Sequence, residues 1–137
     1  MRVVLDTNIF VSGSLYRLSH PGAILRGWED GEFALLTCPE QIEELKATMR
    51  KPSIAARVRP HEVGRLINSI QRLAESIAPL PRVRRSPDPT DDFLLALAEA
   101  GSADYLVTGD KHGLLALARH KHTRILSASE FAALLAR

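Results

Sequence analysis

The stretch that decides the fold is Val3-Val4-Leu5-Asp6-Thr7-Asn8, a short apolar run that ends in an acid. The run starts at Arg2 and is rich in β-branched residues, which is typical of a buried β-strand. A second stretch has the same form, Tyr105-Leu106-Val107-Thr108-Gly109-Asp110. In both stretches an aspartate follows the carboxyl end of an apolar strand.

Strand-like and helix-like segments alternate from this first strand to the end of the chain. The predicted strands are 2–5, 33–37, 105–108 and 124–126, with a further short strand at 77–80. Helical spacing and turn residues predict helices at 8–16, 21–30, 39–51, 61–76, 93–100, 114–118 and 130–136, and a basic loop at 82–89. The alternation predicts an α/β fold with three layers, α/β/α, in which helices cover both faces of a central, mostly parallel sheet. Ligands of such sheets bind outside the carboxyl ends of the strands.

Length and composition narrow the class of protein. The chain has 137 residues, 45% of them apolar, which fits one folded domain over residues 1–137. It carries 14 Arg and 4 Lys, a net charge of +2 and a pI of about 9.0, a weak indication of a nucleic-acid partner. Cys38 is the one cysteine, so no intrachain disulfide forms, and we expect it to be buried. No signal-peptide pattern or long apolar stretch is present, so we expect the cytoplasm.

The two aspartates at strand ends, Asp6 and Asp110, are candidates for one anionic pocket if their strands are neighbours. The alternative for Asp6 is a structural role as N-cap of the following helix, since aspartate is favoured there. Carboxylates that lie close together repel unless a cation neutralises them. Their hard oxygen atoms select Mg²⁺ or Mn²⁺ over softer metals.

A third acidic group is Asp88-Pro89-Thr90-Asp91-Asp92. Local structure offers an explanation, with Asp88 as N-cap, Pro89 as first helical residue and Asp91 as third residue of a capping box. Helical spacing nevertheless places Asp91 on the apolar face of its helix, which predicts a carboxylate that leans toward the sheet. That face consists of Leu94, Leu95 and Ala98.

The fourth acid lies within Pro39-Glu40-Gln41-Ile42-Glu43-Glu44-Leu45. A helical wheel places Glu43 and Glu44 on the two sides of the apolar face and does not choose between them. The alternative for either glutamate is a solvated acid on the helix surface.

Taken together, these motifs resemble the PIN-domain family. Val4-Leu5-Asp6-Thr7-Asn8 is similar to the opening strand and first acid of that family, and Glu44-Leu45 to the second acid on an early helix. Asp91, seven residues before Ala98, resembles the third acid, and Thr108-Gly109-Asp110-Lys111 resembles the strand end that carries the fourth. The order and spacing fit along nearly the whole chain, and the Glu-Leu pair favours Glu44 over Glu43.

The resemblance implies a PIN-like, Rossmann-like fold and a metal-dependent ribonuclease. Asp6, Glu44, Asp91 and Asp110 would hold Mg²⁺ or Mn²⁺ and activate a water that attacks a phosphodiester of single-stranded RNA. Asn8, Thr108 and Asp92 would support these acids through hydrogen bonds. The basic residues expected to grip the RNA backbone are Arg50, Lys51, Arg84, Arg85 and Lys111.

Residues 88–92 and 108–111 are most similar to a subgroup of PIN proteins that act as toxins of toxin–antitoxin systems. This likeness implies an antitoxin protein as partner and a homodimer. Many PIN proteins carry a further acid two residues after the fourth, and His112 stands at that position here. His112 therefore leaves open a second reading, a PIN-fold module that binds RNA or protein with weak or no cleavage.

Two other phosphotransfer folds fit the sequence less well. Haloacid-dehalogenase-like phosphatases need a second aspartate two residues after the first, where this chain has Asn8. Receiver domains need a phosphoacceptor aspartate at the end of a middle strand, whereas the predicted strand 33–37 is followed by Cys38.

Overall fold

The computed structural model describes residues 1–109 and 112–137. Within them, one sheet contains the six strands β1 (Arg2–Leu5), β2 (Ala34–Thr37), β3 (Glu75–Ser76), β4 (Tyr105–Val107), β5 (Arg119–His120) and β6 (Thr123–Leu126). The helices are α1 (Thr7–Leu15), α2 (His20–Glu29), α3 (Pro39–Met49), α4 (Pro52–Ala55), α5 (Pro60–Leu73), α6 (Asp92–Ala100), α7 (Leu114–Leu117) and α8 (Ala128–Leu135). A 3₁₀ turn at Pro89–Asp91 precedes α6.

The strand order across the sheet is β3-β2-β1-β4-β6-β5. Every neighbouring pair is parallel except β5 with β6, which is antiparallel. From β1 the chain first builds the sheet outward through β2 and β3, and then returns to the other side of β1 to add β4 and β6. The boundary between β1 and β4 is thus the point at which the strand order reverses, where open α/β sheets form their binding crevice.

Helices cover both faces of the sheet, which confirms the predicted three-layer fold. Successive strand residues point to opposite faces, so Val3 and Leu5 belong to one core cluster and Val4 to the other. The first cluster also holds apolar residues of α1, α2, α3, α5 and α8, and the second those of α6 and α7. None of the described helices is long and apolar enough to span a membrane.

Arg2, on β1, bonds to β3 and to the residue that follows α6, and these contacts show the direction of α6. Its guanidinium donates to both carboxylate oxygens of Glu75 at 3.0 and 2.9 Å, and its Nε donates to the carbonyl of Gly101 at 2.8 Å. Gly101 directly follows α6, so α6 ends at the amino edge. The helix therefore begins, next to Asp91, at the carboxyl edge of the sheet.

The predicted strand at 77–80 is wrong. The strand in this region is β3 at Glu75–Ser76, which the sequence pattern had included in the helix at 61–76, whereas α5 ends at Leu73. The Ile77 amide still donates to the Thr37 carbonyl at 2.9 Å, and then the chain leaves the sheet. Pro79 has no amide hydrogen with which to continue the ladder, and Ile77 packs against the second core cluster.

Two further short elements were not predicted. α3 ends at Met49, and Pro52 is the first residue of α4. Proline is favoured at the first position of a helix. β5 forms a tight hairpin with β6 through Lys121, whose φ is 54°. Residues 121–122 form the turn of this hairpin, and His120 belongs to β5.

Cys38 is buried, as expected, between β2 and α3. Burial raises the pKa of its thiol to about 11, so the thiol is neutral and packs as a small apolar group. Since its pKa lies above the ordinary value of 9.0, this group contributes stability below pH 9 that is lost as the pH rises through 11.

The packing of α6 on the sheet predicts a large difference between two leucine-to-alanine substitutions. Leu94 on α6 is fully buried, whereas Leu73 at the end of α5 is 62% exposed. Leu94→Ala should lower the free energy of unfolding by about 2–5 kcal/mol, because it leaves a cavity under the helix. Leu73→Ala, which deletes the same atoms, should change it by about 0.5 kcal/mol or less. Urea denaturation measures both, and similar losses in the two variants would contradict the described position of α6.

Candidate active site

The carboxyl ends of β1 and β4 bring Asp6 and Thr108 side by side. Leu5 is in register with Val107, so the next residue of each strand emerges at the same height. The Asp6 amide donates to the Val107 carbonyl at 2.9 Å, and the Thr108 hydroxyl donates to Asp6 Oδ2 at 2.8 Å. Asp6 is 5% exposed and Thr108 is fully buried. The two strands are neighbours, which meets the condition set for a shared pocket.

Asp6 is also the N-cap of α1, the structural alternative that its sequence position suggested. Its Oδ1 accepts from the Asn8 amide at 3.3 Å. Asn8 thus supports Asp6 through its backbone, while its side chain is exposed. Between them, the hydroxyl of Thr7 is buried and has no hydrogen-bond partner within residues 1–109 and 112–137. The cap and the strand-end carboxylate are one group, so the two interpretations are compatible.

Gln41 ties the start of α3 to the end of β1. Its Nε2 donates to the Leu5 carbonyl at 2.6 Å, and its Oε1 accepts from the Thr37 hydroxyl at 2.7 Å. The side chain is 1% exposed, so both bonds are shielded from water. Our sequence reasoning missed this residue. The available signal was its spacing, four residues before Leu45, which puts an amide on the apolar face of the helix.

Glu44 and Glu43 have different surroundings. Glu44 lies one turn after Gln41 on the same side of α3 and is half-buried. The side chain of Glu43 is 78% exposed, and its carboxylate is 3.9 Å from the Lys46 ammonium. The helical wheel could not separate the two glutamates, and their burial now favours Glu44 as the acid that faces the protein.

Asp91 is half-buried at the end of the 3₁₀ turn, where α6 starts at the carboxyl edge. The predicted capping role belongs to Asp88, whose Oδ1 accepts from the Thr90 amide at 3.0 Å and from the Thr90 hydroxyl at 2.8 Å. These two hydrogen bonds hold the pKa of the Asp88 carboxyl below its ordinary value. The local motif is thereby explained by Asp88 and Thr90.

Asp92, expected to support the acids, holds the preceding loop. Its Oδ1 accepts from the Ser86 amide at 2.7 Å and from the Arg85 amide at 3.1 Å. These bonds keep the backbone of residues 85–86 at the first turn of α6, directly beside Asp91.

The basic residues predicted to bind RNA fall in two places. Arg84 and Arg85 are exposed in the loop that Asp92 holds. Arg50 and Lys51 are exposed just beyond α3, whose 11 residues separate them from the carboxyl edge by roughly 16 Å. Asp110 and Lys111 lie outside the described residues.

A comparison with known protein families identifies the family of this chain. The family profile described as PIN domain matches residues 2–112, most of the chain, from β1 to just past β4. The chain belongs to the PIN-domain family. No curated protein and no solved structure matched it.

PIN domains are generally nucleases, which are hydrolases, and they usually use divalent metal ions. Within the described part of this PIN domain, no three His, Cys, Asp or Glu side chains form a group that could hold a metal ion. The donor chemistry nevertheless fits Mg²⁺ or Mn²⁺, because the polar side chains at this edge offer carboxylate and hydroxyl oxygens. The buried Thr7 hydroxyl beside Asp6 is one such oxygen.

The double role of Asp6 predicts that two substitutions shift stability in opposite directions in metal-free buffer. Asparagine keeps an oxygen that accepts from the Asn8 amide, and its NH2 group can donate to the Thr108 hydroxyl in place of the second carboxylate oxygen. It also removes a buried negative charge. Asp6→Asn should therefore raise the melting temperature. Asp6→Ala removes the cap as well and should cost about 1 kcal/mol. A thermal scan of both variants is the measurement, and equal falls in melting temperature would show that the charge itself stabilises the fold.

Proposed function

We propose that this PIN domain is a metal-dependent endoribonuclease that cleaves single-stranded RNA in the cytoplasm, as the toxin of a toxin–antitoxin pair. The observation that carries the proposal is the buried Asp6 carboxylate, which Thr108 orients at the β1–β4 switch point. Open α/β sheets bind their ligands at this point, and the family supplies nuclease chemistry.

The proposed metal ligands are Asp6, Glu44, Asp91 and Asp110. A bound Mg²⁺ or Mn²⁺ would supply an activated water and offset charge on the phosphate. Thr108 fixes the rotamer of Asp6 by donating to Oδ2. Gln41 holds the start of α3 against β1, and α3 is the helix that carries Glu44. Either Glu44 or Asp91 would take the proton of the attacking water, since both are half-buried carboxylates.

RNA would approach over the loop before α6. Arg84 and Arg85 are exposed there. The backbone amide of Arg85 donates to Asp92, the residue that follows Asp91. Arg50 and Lys51 lie at the far end of α3 and would contact a strand that extends well beyond the cleaved bond. Lys111, next to Asp110 in sequence, completes the set of proposed phosphate contacts.

The proposed partners are an antitoxin protein and a second copy of this chain. PIN domains bind RNA and often pair with antitoxins. A second candidate function, an RNA- or protein-binding module with little cleavage, is favoured by His112, which is exposed where many PIN proteins have a further acid.

The proposal predicts metal-dependent cleavage of single-stranded RNA. Purified protein should cut varied RNA substrates in Mg²⁺ or Mn²⁺, and chelator should abolish cutting. Asp6→Ala and Asp91→Ala should abolish it as well, because each removes a proposed ligand, whereas Glu43→Gln, the matched exposed acid on α3, should cut like the wild type. Cleavage should also weaken as salt rises, because the backbone contacts are electrostatic. Gel analysis of end-labelled RNA measures all of these effects.

A substitution of His112 tests whether slow cleavage by the wild type has its cause in a missing acid for a second metal ion. If a second metal ion limits the rate, His112→Asp should accelerate cleavage by restoring the acid. Intact RNA with both the wild type and His112→Asp, in protein that binds the metal, would refute the nuclease proposal and favour the binding module.

A further inference from the structure

The loop before α6 carries three arginines in a segment that is hydrogen-bonded to α6 and β5. Residues 82–86, here called the arginine segment, contain Arg82, Arg84 and Arg85, and all three side chains are exposed. Together with Pro89 and Asp92 the segment lines a surface depression of about 610 Å³. Like charges this close repel one another, so a segment without regular secondary structure needs specific bonds to keep them together.

Two anchors supply these bonds. One is Asp92, which accepts from the backbone amides of Arg85 and Ser86. The other is the side chain of Arg85, whose Nη1 lies 2.6 Å from the Arg119 carbonyl and 3.0 Å from His120 Nδ1. The opposite ring nitrogen, His120 Nε2, is 3.0 Å from Glu99 Oε1. The anchors connect the segment to both ends of α6 and to β5.

The chemistry of the donors fixes the direction of these bonds. A guanidinium can only donate, so His120 Nδ1 accepts from Arg85, and Nε2 therefore carries the ring hydrogen and donates to Glu99. The histidine side chain is 7% exposed, which makes it a buried link between a cation and an anion. The Arg85 side chain is exposed, but its guanidinium bonds to protein groups, so its place in the proposed function changes from direct RNA contact to anchoring the segment.

We propose that the arginine segment is a docking surface for the phosphate backbone of single-stranded RNA. Arg82 and Arg84 contact the phosphates, Arg85 is the anchor, and His120 and Glu99 are positioning residues that hold Arg85. The inference rests on the proposed function in taking RNA as the ligand. It adds Arg82, His120 and Glu99 to the residues of that function. None of the three touches the reacting atoms.

The location of the segment supports RNA as its ligand. Asp92 holds the segment at the first turn of α6, directly beside Asp91, so a strand lying on Arg82 and Arg84 runs past the candidate active site. A segment that is already fixed loses less conformational freedom when the RNA binds, which strengthens binding without adding a contact.

The first test measures RNA binding in chelator, where cleavage cannot interfere. The probe is a short fluorescein-labelled single-stranded RNA, and its anisotropy is followed over a range of salt concentrations. The double variant Arg82→Ala/Arg84→Ala should weaken binding, and its salt slope should fall by about 0.7 for each lost phosphate contact. The matched control Arg59→Ala/Arg65→Ala removes two exposed arginines next to and on α5 and should leave the slope unchanged. Equal slopes for the wild type and the Arg82→Ala/Arg84→Ala variant would overturn the proposal and would leave an acidic protein as the ligand of this surface.

The second test separates positioning from charge. Glu99→Ala and Glu99→Gln both remove a negative charge, which by simple electrostatics favours RNA binding. Only the alanine variant loses the acceptor for His120, so its Kd should rise about two- to tenfold at an unchanged salt slope. Glu99→Gln should bind as tightly as the wild type or more tightly. An equal Kd for the two variants, at a temperature where melting curves show both folded, would overturn the positioning role.

These outcomes are distinct from failure of the nuclease proposal. Binding that depends on the arginine segment, without cleavage in any metal, would refute the nuclease and support the docking surface. Cleavage with binding that ignores Arg82 and Arg84 would support the nuclease and refute the docking surface.

Discussion

A carboxylate buried at the end of the central strand is the constraint on which the rest of this PIN domain depends. Asp6 is 5% exposed, and a buried charge is costly unless hydrogen bonds or a cation compensate it. The Thr108 hydroxyl and the Asn8 amide both donate to it. These donors come from β4 and from the first turn of α1, so the carboxylate joins three elements at the switch point of the sheet.

Two helices begin at this edge because of how the chain winds. α3 begins where β2 ends, and α6 begins at the edge opposite Arg2. Asp91 therefore lies at the start of α6, and Glu44 is the sixth residue of α3. Gln41 links α3 to β1 by donating to the Leu5 carbonyl. A buried carboxylate at this edge favours the binding of a cation, which is the physical link between the fold and the proposed chemistry.

Much of the fold followed from local patterns, because buried parallel strands are short apolar runs and their covering helices repeat every three to four residues. β1, β2, β4 and β6 were predicted from such runs, and so was Asp6 at the end of β1. β3 and β5 were missed because Glu75–Ser76 and Arg119–His120 are two-residue polar strands, defined by their neighbours in the sheet rather than by their own composition.

Residues that act through long-range contacts were missed for the same reason. Gln41 bonds to a carbonyl 36 positions away, and His120 to a glutamate 21 positions away. The pattern around each residue carries no information on its partner. The helical wheel left Glu43 and Glu44 equivalent, and Glu44 was preferred only through the family resemblance. The two glutamates differ in burial in the folded chain, which the wheel could not show.

The central claim is that Asp6 is a ligand of a divalent cation, and calorimetric titration of the metal-free protein with Mn²⁺ tests it most directly. The wild type should bind. Asp6→Asn, which keeps an oxygen for the Asn8 amide, should weaken binding by more than about tenfold, since even residues that merely support metal ligands contribute that much. Asp104→Asn, an exposed aspartate at the amino edge that accepts from the Arg2 amide, is the control and should bind like the wild type. Unchanged Mn²⁺ affinity in Asp6→Asn would contradict the account.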